Sequence, residues 1–372
     1  MPPRHVYVHV PFCARRCSYC DFSIAVRRSV PVDEYLVALE RELARRVPRD
    51  ERWTIDTLYV GGGTPSQLGA DGVARMLDLL TTRFALEPDA EVTLEANPDD
   101  ISLDGVRRWR SAGVNRLSIG SQSFDPRVLD WMHRTHSAEQ ITQAVAAARA
   151  GGIENLSLDL IFALPQELGR DWDRDLEHAL ALAPQHLSFY GLTIEPTTPL
   201  ARWRDRGEVR EAPEERYESE FLRAHDLLAR AGYEHYEVSN YARPGKRSRH
   251  NSSYWRRVPY AGFGPAAHEF DGVRRRWNIA PYAGWVRAVH EGRDPLEADE
   301  VLGDESRRAE EVYLGLRVAE GVDIDEAMAL RVQPWVDAGW AELDASRLRL
   351  TPAGWLRLDA LAADLTLIAS RC

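Results

Sequence analysis

The stretch that decides the fold is His5-Val-Tyr-Val-His-Val10, followed without a break by Pro11-Phe-Cys13-Ala-Arg-Arg-Cys17-Ser-Tyr-Cys20. The first six residues are short and β-branched, which predicts a strand. Three thiols then fall within eight residues, directly at the strand's C-terminal end. The other cysteine of the chain is Cys372. A disulfide framework would spread paired cysteines along a short chain, and this pattern does the opposite. Soft thiolates at this spacing select zinc, copper(I) or an iron–sulfur cluster. A structural zinc asks for four protein ligands, and His5 or His9 could add the missing one. His9, however, lies within the strand, poorly placed to wrap back. A cube of iron and sulfide that receives three thiolates keeps one iron open to a small molecule.

Outward from this point the chain alternates strand and helix. Strands are predicted at Thr57–Val60, Glu91–Glu95, Arg116–Ile119, Leu156–Ile161 and His186–Tyr190. Helices are predicted at Asp33–Val47, Ala70–Phe84, Leu103–Ala112, Ser137–Ala150 and Trp172–Leu182. Six β/α units joined by right-handed crossovers predict an α/β fold, a partial (β/α)6 barrel, with its site at the C-terminal ends of the strands. The expected division is a barrel over 1–235, an irregular aromatic and basic segment over 236–295, and a smaller C-terminal domain over 296–372. The last is mostly helical. Its Ala341–Leu343 and Leu348–Leu350 hairpin gives it a winged-helix-like outline.

Composition narrows the function. The chain has 372 residues, 44% apolar and 28% charged, with a net charge of −11, and 46 of its 47 basic residues are arginine. From Glu297 onward sixteen acidic residues face eight basic ones, so the wing is not a DNA reader and no nucleic acid is expected as partner. No apolar run reaches the ~18 residues of a membrane span. Met1-Pro-Pro-Arg-His5 has no signal-like apolar stretch. The expected location is cytoplasmic.

The strand ends carry the remaining polar signals. Gly61-Gly62-Gly63-Thr64 follows the second strand, and glycine lets backbone approach a ligand closely. Glu95 ends the third strand. Asp159 sits inside the apolar run Leu156–Ile161, where a carboxylate needs a partner. His250-Asn251-Ser-Ser-Tyr254-Trp255 follows Arg243, Lys246, Arg247 and Arg249. An imidazole beside aromatics and cations suits a porphyrin, whose iron histidine can ligate. His268 is a second candidate.

In order, Tyr7-x-His9-x-Pro11-Phe12-Cys13-x3-Cys17-x-Tyr19-Cys20, Gly61–Pro65, Glu95-Ala-Asn-Pro98, Asn115–Ser123, Asp159–Ile161, His250-Asn-x2-Tyr-Trp255 and Gly262-Phe-Gly-Pro265 resemble radical S-adenosylmethionine (SAM) enzymes of the oxygen-independent coproporphyrinogen III oxidase family. The resemblance covers nearly the whole chain. It implies a [4Fe-4S] cluster on Cys13, Cys17 and Cys20. It also implies S-adenosyl-L-methionine held by Tyr7, Tyr19, Gly62, Gly63, Thr64, Glu95, Gln122, Arg134, Asp159 and Thr193. Two departures matter. The oxidases carry a fourth cysteine two residues after the third, where this chain has Phe22. They also carry an N-terminal extension, whereas the first cluster cysteine here is residue 13. Together with His250-Asn-x2-Tyr-Trp255, these point to the haem-chaperone branch. That branch implies haem ligated by His250 and handed to a haem-accepting protein such as a respiratory enzyme. A homodimer, and peripheral membrane association through the acceptor, belong to the same expectation. The alternative is the oxidase itself, an oxidative decarboxylase of coproporphyrinogen III.

Overall fold

The computed structural model describes residues 2–48 and 50–369, with side chains up to residue 366, so Cys372 lies outside the described residues. The chain folds as two compact units. One comprises residues up to 212 and 259–300, the other 213–258 and those from 301 onward. Each is built from two separate stretches of chain, so the units do not follow the expected segments 1–235, 236–295 and 296–372.

The first unit is the α/β barrel. Its strands β1 (His5–Val10), β2 (Trp53–Gly62), β3 (Phe84–Ala96), β4 (Arg116–Gln122), β5 (Asn155–Phe162) and β6 (His186–Gly191) lie side by side in chain order, every pair parallel. Helices α1 (Val32–Arg46), α2 (Gly69–Thr81), α3 (Leu103–Ser111), α4 (Ala138–Ala150) and α5 (Trp172–Ala181) make the crossovers. Their starts are written in the sequence. Ser102 and Asp171 cap α3 and α5, and Ser137 with Gln140 forms a reciprocal capping box on α4. Each helix buries one stripe. On α3 Val106 and Trp109 face inward, while Arg107, Arg108 and Arg110 stay in solvent.

A seventh parallel strand was not expected. Tyr260–Phe263 (β7) pairs with β1 on the side away from β2, with His5 opposite Tyr260 and Val8 opposite Phe263. The sheet continues through His268–Phe270 (β8), Arg274–Asn278 (β9) and Leu296–Val301 (β10). The segment read as irregular therefore carries regular structure, β7, β8 and β9 together with the helices Arg249–Trp255 and Tyr282–His290. Its strands are short, and β7 has its parallel partner some 250 residues away, so no local period announces it. Gly262-Phe-Gly264 is explained here. A Cβ on Gly262 would lie 2.0 Å from the His268 carbonyl oxygen, and one on Gly264 2.5 Å from that of His9. Only glycine allows backbones so close.

One buried carboxylate fastens this added sheet to α1. Glu42, with no exposed surface, accepts from the Gly264 N–H at 2.8 Å, Asn278 Nδ2 at 2.6 Å, Trp285 Nε1 at 3.0 Å and Arg46 Nη1 at 2.9 Å. Burial pushes its pKa up while these donors pull it down.

The second unit contains helices Glu214–Arg230, Arg249–Trp255, Asp304–Arg317, Glu326–Asp337 and Leu358–Ala369. A three-stranded sheet of Val322–Asp323, Arg347–Leu350 and Ala341–Asp344 forms the wing. It is mostly helical and winged-helix-like, as its hairpin predicted. Among the described residues no helix is long and apolar enough to cross a membrane.

Candidate functional site

The site grows from the C-terminal ends of the barrel strands. There a cavity of about 390 Å³ opens. Parallel strands all end on the same face, so residues scattered over 180 positions converge. The cavity gathers Cys13, Cys17, Cys20, Tyr19, Gly62, Gly63, Thr64, Glu95, Gln122, Arg134, Asp159 and Thr193. It does not gather Tyr7. That ring stacks on Tyr59 at 6.2 Å, one layer behind the wall. His250 belongs to the second unit.

The three cysteines are free thiols, each partly buried. Their loop is pinned at its base, because Phe12–Cys13 pairs with Ala25–Val26 as a two-stranded ribbon. Thr64 Oγ1 lies 3.3 Å from Cys13 Sγ, and Arg134 donates from Nη1 to Cys17 Sγ at 3.4 Å. Burial pushes the Cys13 thiol up to about 11 and raises Cys20 as well. Metal loading must therefore displace protons from these sulfurs. Neither histidine completes a zinc site. His9 Nε2 faces the Ser23 carbonyl at 3.2 Å and must carry the hydrogen there, so its Nδ1 accepts from Tyr7 Oη at 3.0 Å. Both ring nitrogens are engaged, and burial holds this imidazole neutral, its pKa lowered to about 4. His5 Nδ1 meets Thr57 Oγ1 at 2.9 Å. Among the described residues no three His, Cys, Asp or Glu side chains converge on a single ion. The donor set is three thiols on one cavity wall, which fits a cubane that leaves one corner open.

The glycine run fits close approach. A Cβ on Gly63 would stand 2.7 Å from the Pro11 carbonyl oxygen, and one on Gly62, at φ +120°, 2.7 Å from the His9 ring. Opposite, Glu95 accepts from Tyr59 Oη at 2.7 Å and from the Gly62 N–H at 3.0 Å. Burial outweighs both donors and pushes its pKa up to about 7. Asp159 accepts from Ser118 Oγ at 3.1 Å and Ser157 Oγ at 3.2 Å, and burial raises it also. Two acids near one another on one cavity wall favour a cationic ligand. Arg134 spends Nη2 on Asn97 Oδ1 and the Gly120 carbonyl, both at 2.7 Å, while its buried Nε has no partner. That orphaned donor is available to a ligand carboxylate. Gln122 adopts φ +66°, a left-handed backbone uncommon outside glycine.

The sequence reading missed Arg116. At the start of β4 it resembles an ordinary solvated strand end, yet it is 1% exposed. It is a cation that favours ionisation of both Glu95 and Asp159, and its Nε and Nη1 are buried without partners. An arginine opening a buried strand, beside Leu117 and Ile119, was the available signal.

In the second unit His250 is 1% exposed, on the helix capped by Ser248. Its Nε2 lies 2.8 Å from Tyr254 Oη. The neighbouring cations are largely committed. Arg247 pairs with Glu234 and Glu320, and Arg243 lies over the Tyr233 ring. Lys246 is exposed. His268 is exposed on β8, stacked at 5.6 Å on Trp277.

Comparison with known proteins agrees with this geometry. Residues 7–179 match the radical SAM superfamily, and residues 304–357 match the HemN C-terminal domain. The chain is 37% identical to the heme chaperone HemW of Mycobacterium tuberculosis over 98% of its own length and 95% of that protein's. It is 34% identical to heme chaperone HemW of Bacillus subtilis, over 86% and 84% of the two chains. Among solved structures it superposes on coproporphyrinogen III oxidase (HemN) of Escherichia coli with a TM-score of 0.83, covering 98% and 90% of the two chains at 24% identity. At that identity the likeness is one of fold.

Proposed function

We propose that this chain, which belongs to the radical SAM superfamily and within it to the HemW family, binds haem and passes it to an acceptor protein. The observation that carries the reading is the match along almost the whole chain to relatives named heme chaperone HemW. A second feature is consistent with it. Phe22, 64% exposed, stands where the oxidases of the family carry a further cysteine.

In this reading Cys13, Cys17 and Cys20 hold a [4Fe-4S] centre, and the cavity beside it takes exchangeable SAM. When bound, the centre supplies an open iron for the amino and carboxylate groups of SAM and an electron that can break its carbon–sulfur bond. The protein's own contribution is placement. Gly62 and Gly63 keep the wall thin where the methionine moiety lies, with Thr64 beside them. Glu95 and Asp159 set a negative field against the sulfonium. Arg134 offers its spare Nε to the carboxylate. Gln122, Thr193 and Tyr19 close the remaining sides. Tyr7 acts from behind the wall, through Tyr59 and His9.

Haem is ligated by His250, once Tyr254 releases Nε2. The acceptor is a haem-dependent respiratory enzyme, met at the membrane surface from the cytoplasm. Loading of the centre promotes a homodimer.

The deciding experiment is a joint assay on anaerobically reconstituted protein. Haem is titrated, and separately coproporphyrinogen III is incubated with SAM and a reductant. Stoichiometric haem binding that is lost in His250→Ala, with no turnover, is the expected result. Formation of protoporphyrinogen overturns it.

A further inference from the structure

Below the cavity, the interior of the barrel carries polar side chains. In β3, β4 and β5 the residues Leu94, Leu117 and Leu156 lie opposite one another in register, each fully buried. Their neighbours one position earlier point to the other face, because side chains alternate along a strand. Those neighbours are Thr93, Arg116 and Asn155, which also share one register row. Two positions further on stand Glu95, Ser118 and Ser157. Glu95 and Ser118 line the cavity, so this face is the barrel interior. Bulky branched residues ordinarily fill such a layer.

The row is buried, and its polar atoms are left over. Thr93 and Arg116 are each 1% exposed. Among the described residues Thr93 Oγ1, Arg116 Nε and Nη1, and Asn155 Oδ1 meet no hydrogen-bond partner. Buried polar groups are nearly always paired, with protein or with ordered water. Here two guanidinium N–H groups need acceptors, the Asn155 oxygen needs a donor, and the Thr93 hydroxyl serves as either. An anion answers only the arginine, and a cation only the amide oxygen. Water does both, and neighbouring strands lie ~4.8 Å apart, within the span of a bridging molecule. One end of the row meets solvent, since Asn155 opens β5 and is partly exposed. The other end meets the site, since Glu95 follows Thr93 by two residues, ~6.6 Å along the strand.

We propose that ordered water in this layer forms a proton path between Glu95 and the solvent at the N-terminal end of the barrel. The inference rests on the reading that an S-adenosyl ligand fills the cavity above. It adds how a proton enters or leaves the Glu95 carboxyl while that ligand covers it. The transfer balances: Glu95 gives up one O–H bond to the nearest water, each water that gains a proton releases another, and the last passes one to solvent. The titratable groups that face Glu95 are Tyr7, Tyr59, Asp159 and Arg116. Arg116 keeps its charge throughout, so it orders the water and repels an excess proton that would otherwise rest beside it.

The test uses the full-length, cluster-loaded chain with S-adenosylhomocysteine as probe, whose neutral sulfur leaves Glu95 protonated in mild acid. The infrared carboxyl band that disappears in Glu95→Gln marks this proton. Its shift after rapid mixing into deuterium oxide times the exchange. Thr93→Val/Asn155→Leu keeps the band and slows its exchange about tenfold or more, as the loss of a hydrogen-bonded link allows. Thr93→Val alone, which keeps the shape of the side chain, slows it less and serves if the double variant does not fold. Separately, oxygen-17 relaxation dispersion counts long-lived internal waters, and the variants hold fewer than the wild type. An exchange rate unaltered in the variants overturns the proposal. So does wild-type protein with no long-lived internal water, which needs no variant. S-adenosylhomocysteine that does not bind removes the reading of the cavity, and the water count alone then shows whether the layer is wet.

Discussion

Glu95 accepts from Tyr59 Oη at 2.7 Å, and yet its carboxyl titrates near 7 because burial outweighs the donor. The folded protein therefore binds a proton at Glu95 that the unfolded chain has released by about pH 5. A carboxyl raised in this way stabilises fully below its unfolded pKa, and the benefit is lost as pH climbs toward 7. The slope is at most about 1.4 kcal/mol per pH unit, and water in the cavity reduces it. A cationic ligand favours the ionised form and reverses the preference. Affinity for SAM is accordingly expected to rise between pH 6 and 8, with proton release on binding. Glu95→Gln flattens both trends. Calorimetry in buffers of different ionisation enthalpy reads the proton directly, and an unchanged pH profile in the variant would remove Glu95 from the ligand site.

Gly63→Ala tests the thinness of the wall. The added methyl would meet the Pro11 and Phe12 carbonyl oxygens at 2.7 and 2.8 Å, and both are backbone. Neither can swing aside, so the loop must move away from the cysteine ribbon. We expect SAM affinity to fall at least about tenfold, ~1.4 kcal/mol, with a smaller loss of global stability. Equilibrium dialysis on the cluster-loaded protein measures it.

What the sequence disclosed and what it hid divide along physical lines. The first six strands and their helices carry their own period and caps, as in Leu156–Ile161 or Ser137 before α4. The cysteine spacing and the strand-end polar residues were legible because parallel strands must deliver them to one face. β7 was not legible, since Tyr260–Phe263 is four residues long and draws its stability from β1. Arg116 stayed hidden because burial of a charge depends on what surrounds it in space. Tyr254 facing His250 is local, four residues along one helix turn, and was in view as a motif without its hydrogen bond.

Glu42 ties the added sheet to the barrel, and its removal should be felt globally. Glu42→Leu leaves Arg46 with Glu269 as its remaining carboxylate partner and strands three donors, the Gly264 N–H, Asn278 Nδ2 and Trp285 Nε1. Losing one member of such a buried group is expected to lower stability by about 3–5 kcal/mol. Glu42→Gln, which retains an accepting oxygen, should lose less. Urea unfolding of the two variants supplies the comparison, and a Leu variant within ~1 kcal/mol of wild type would show that the carboxylate is not the fastening.

His250 Nε2 cannot ligate iron while it is held 2.8 Å from Tyr254 Oη. A ring nitrogen has one in-plane site, and a hydroxyl hydrogen-bonded there competes with the metal for it. Removing the competitor should therefore strengthen haem binding, whereas removing the imidazole abolishes ligation. A hydrogen bond of this kind contributes about 0.5–1.5 kcal/mol, so Tyr254→Phe is expected to tighten haem binding by roughly two- to tenfold. His250→Ala should lose the low-spin histidine signature in the absorption and resonance Raman spectra. Both variants keep the Ser248 cap of the helix, so helix content by circular dichroism should remain near wild type. Tighter binding in the phenylalanine variant together with a lost ligand signature in the alanine variant would identify the imidazole as the ligand. An alanine variant that titrates with haem and shows the same spectrum as wild type would place the iron on another side chain.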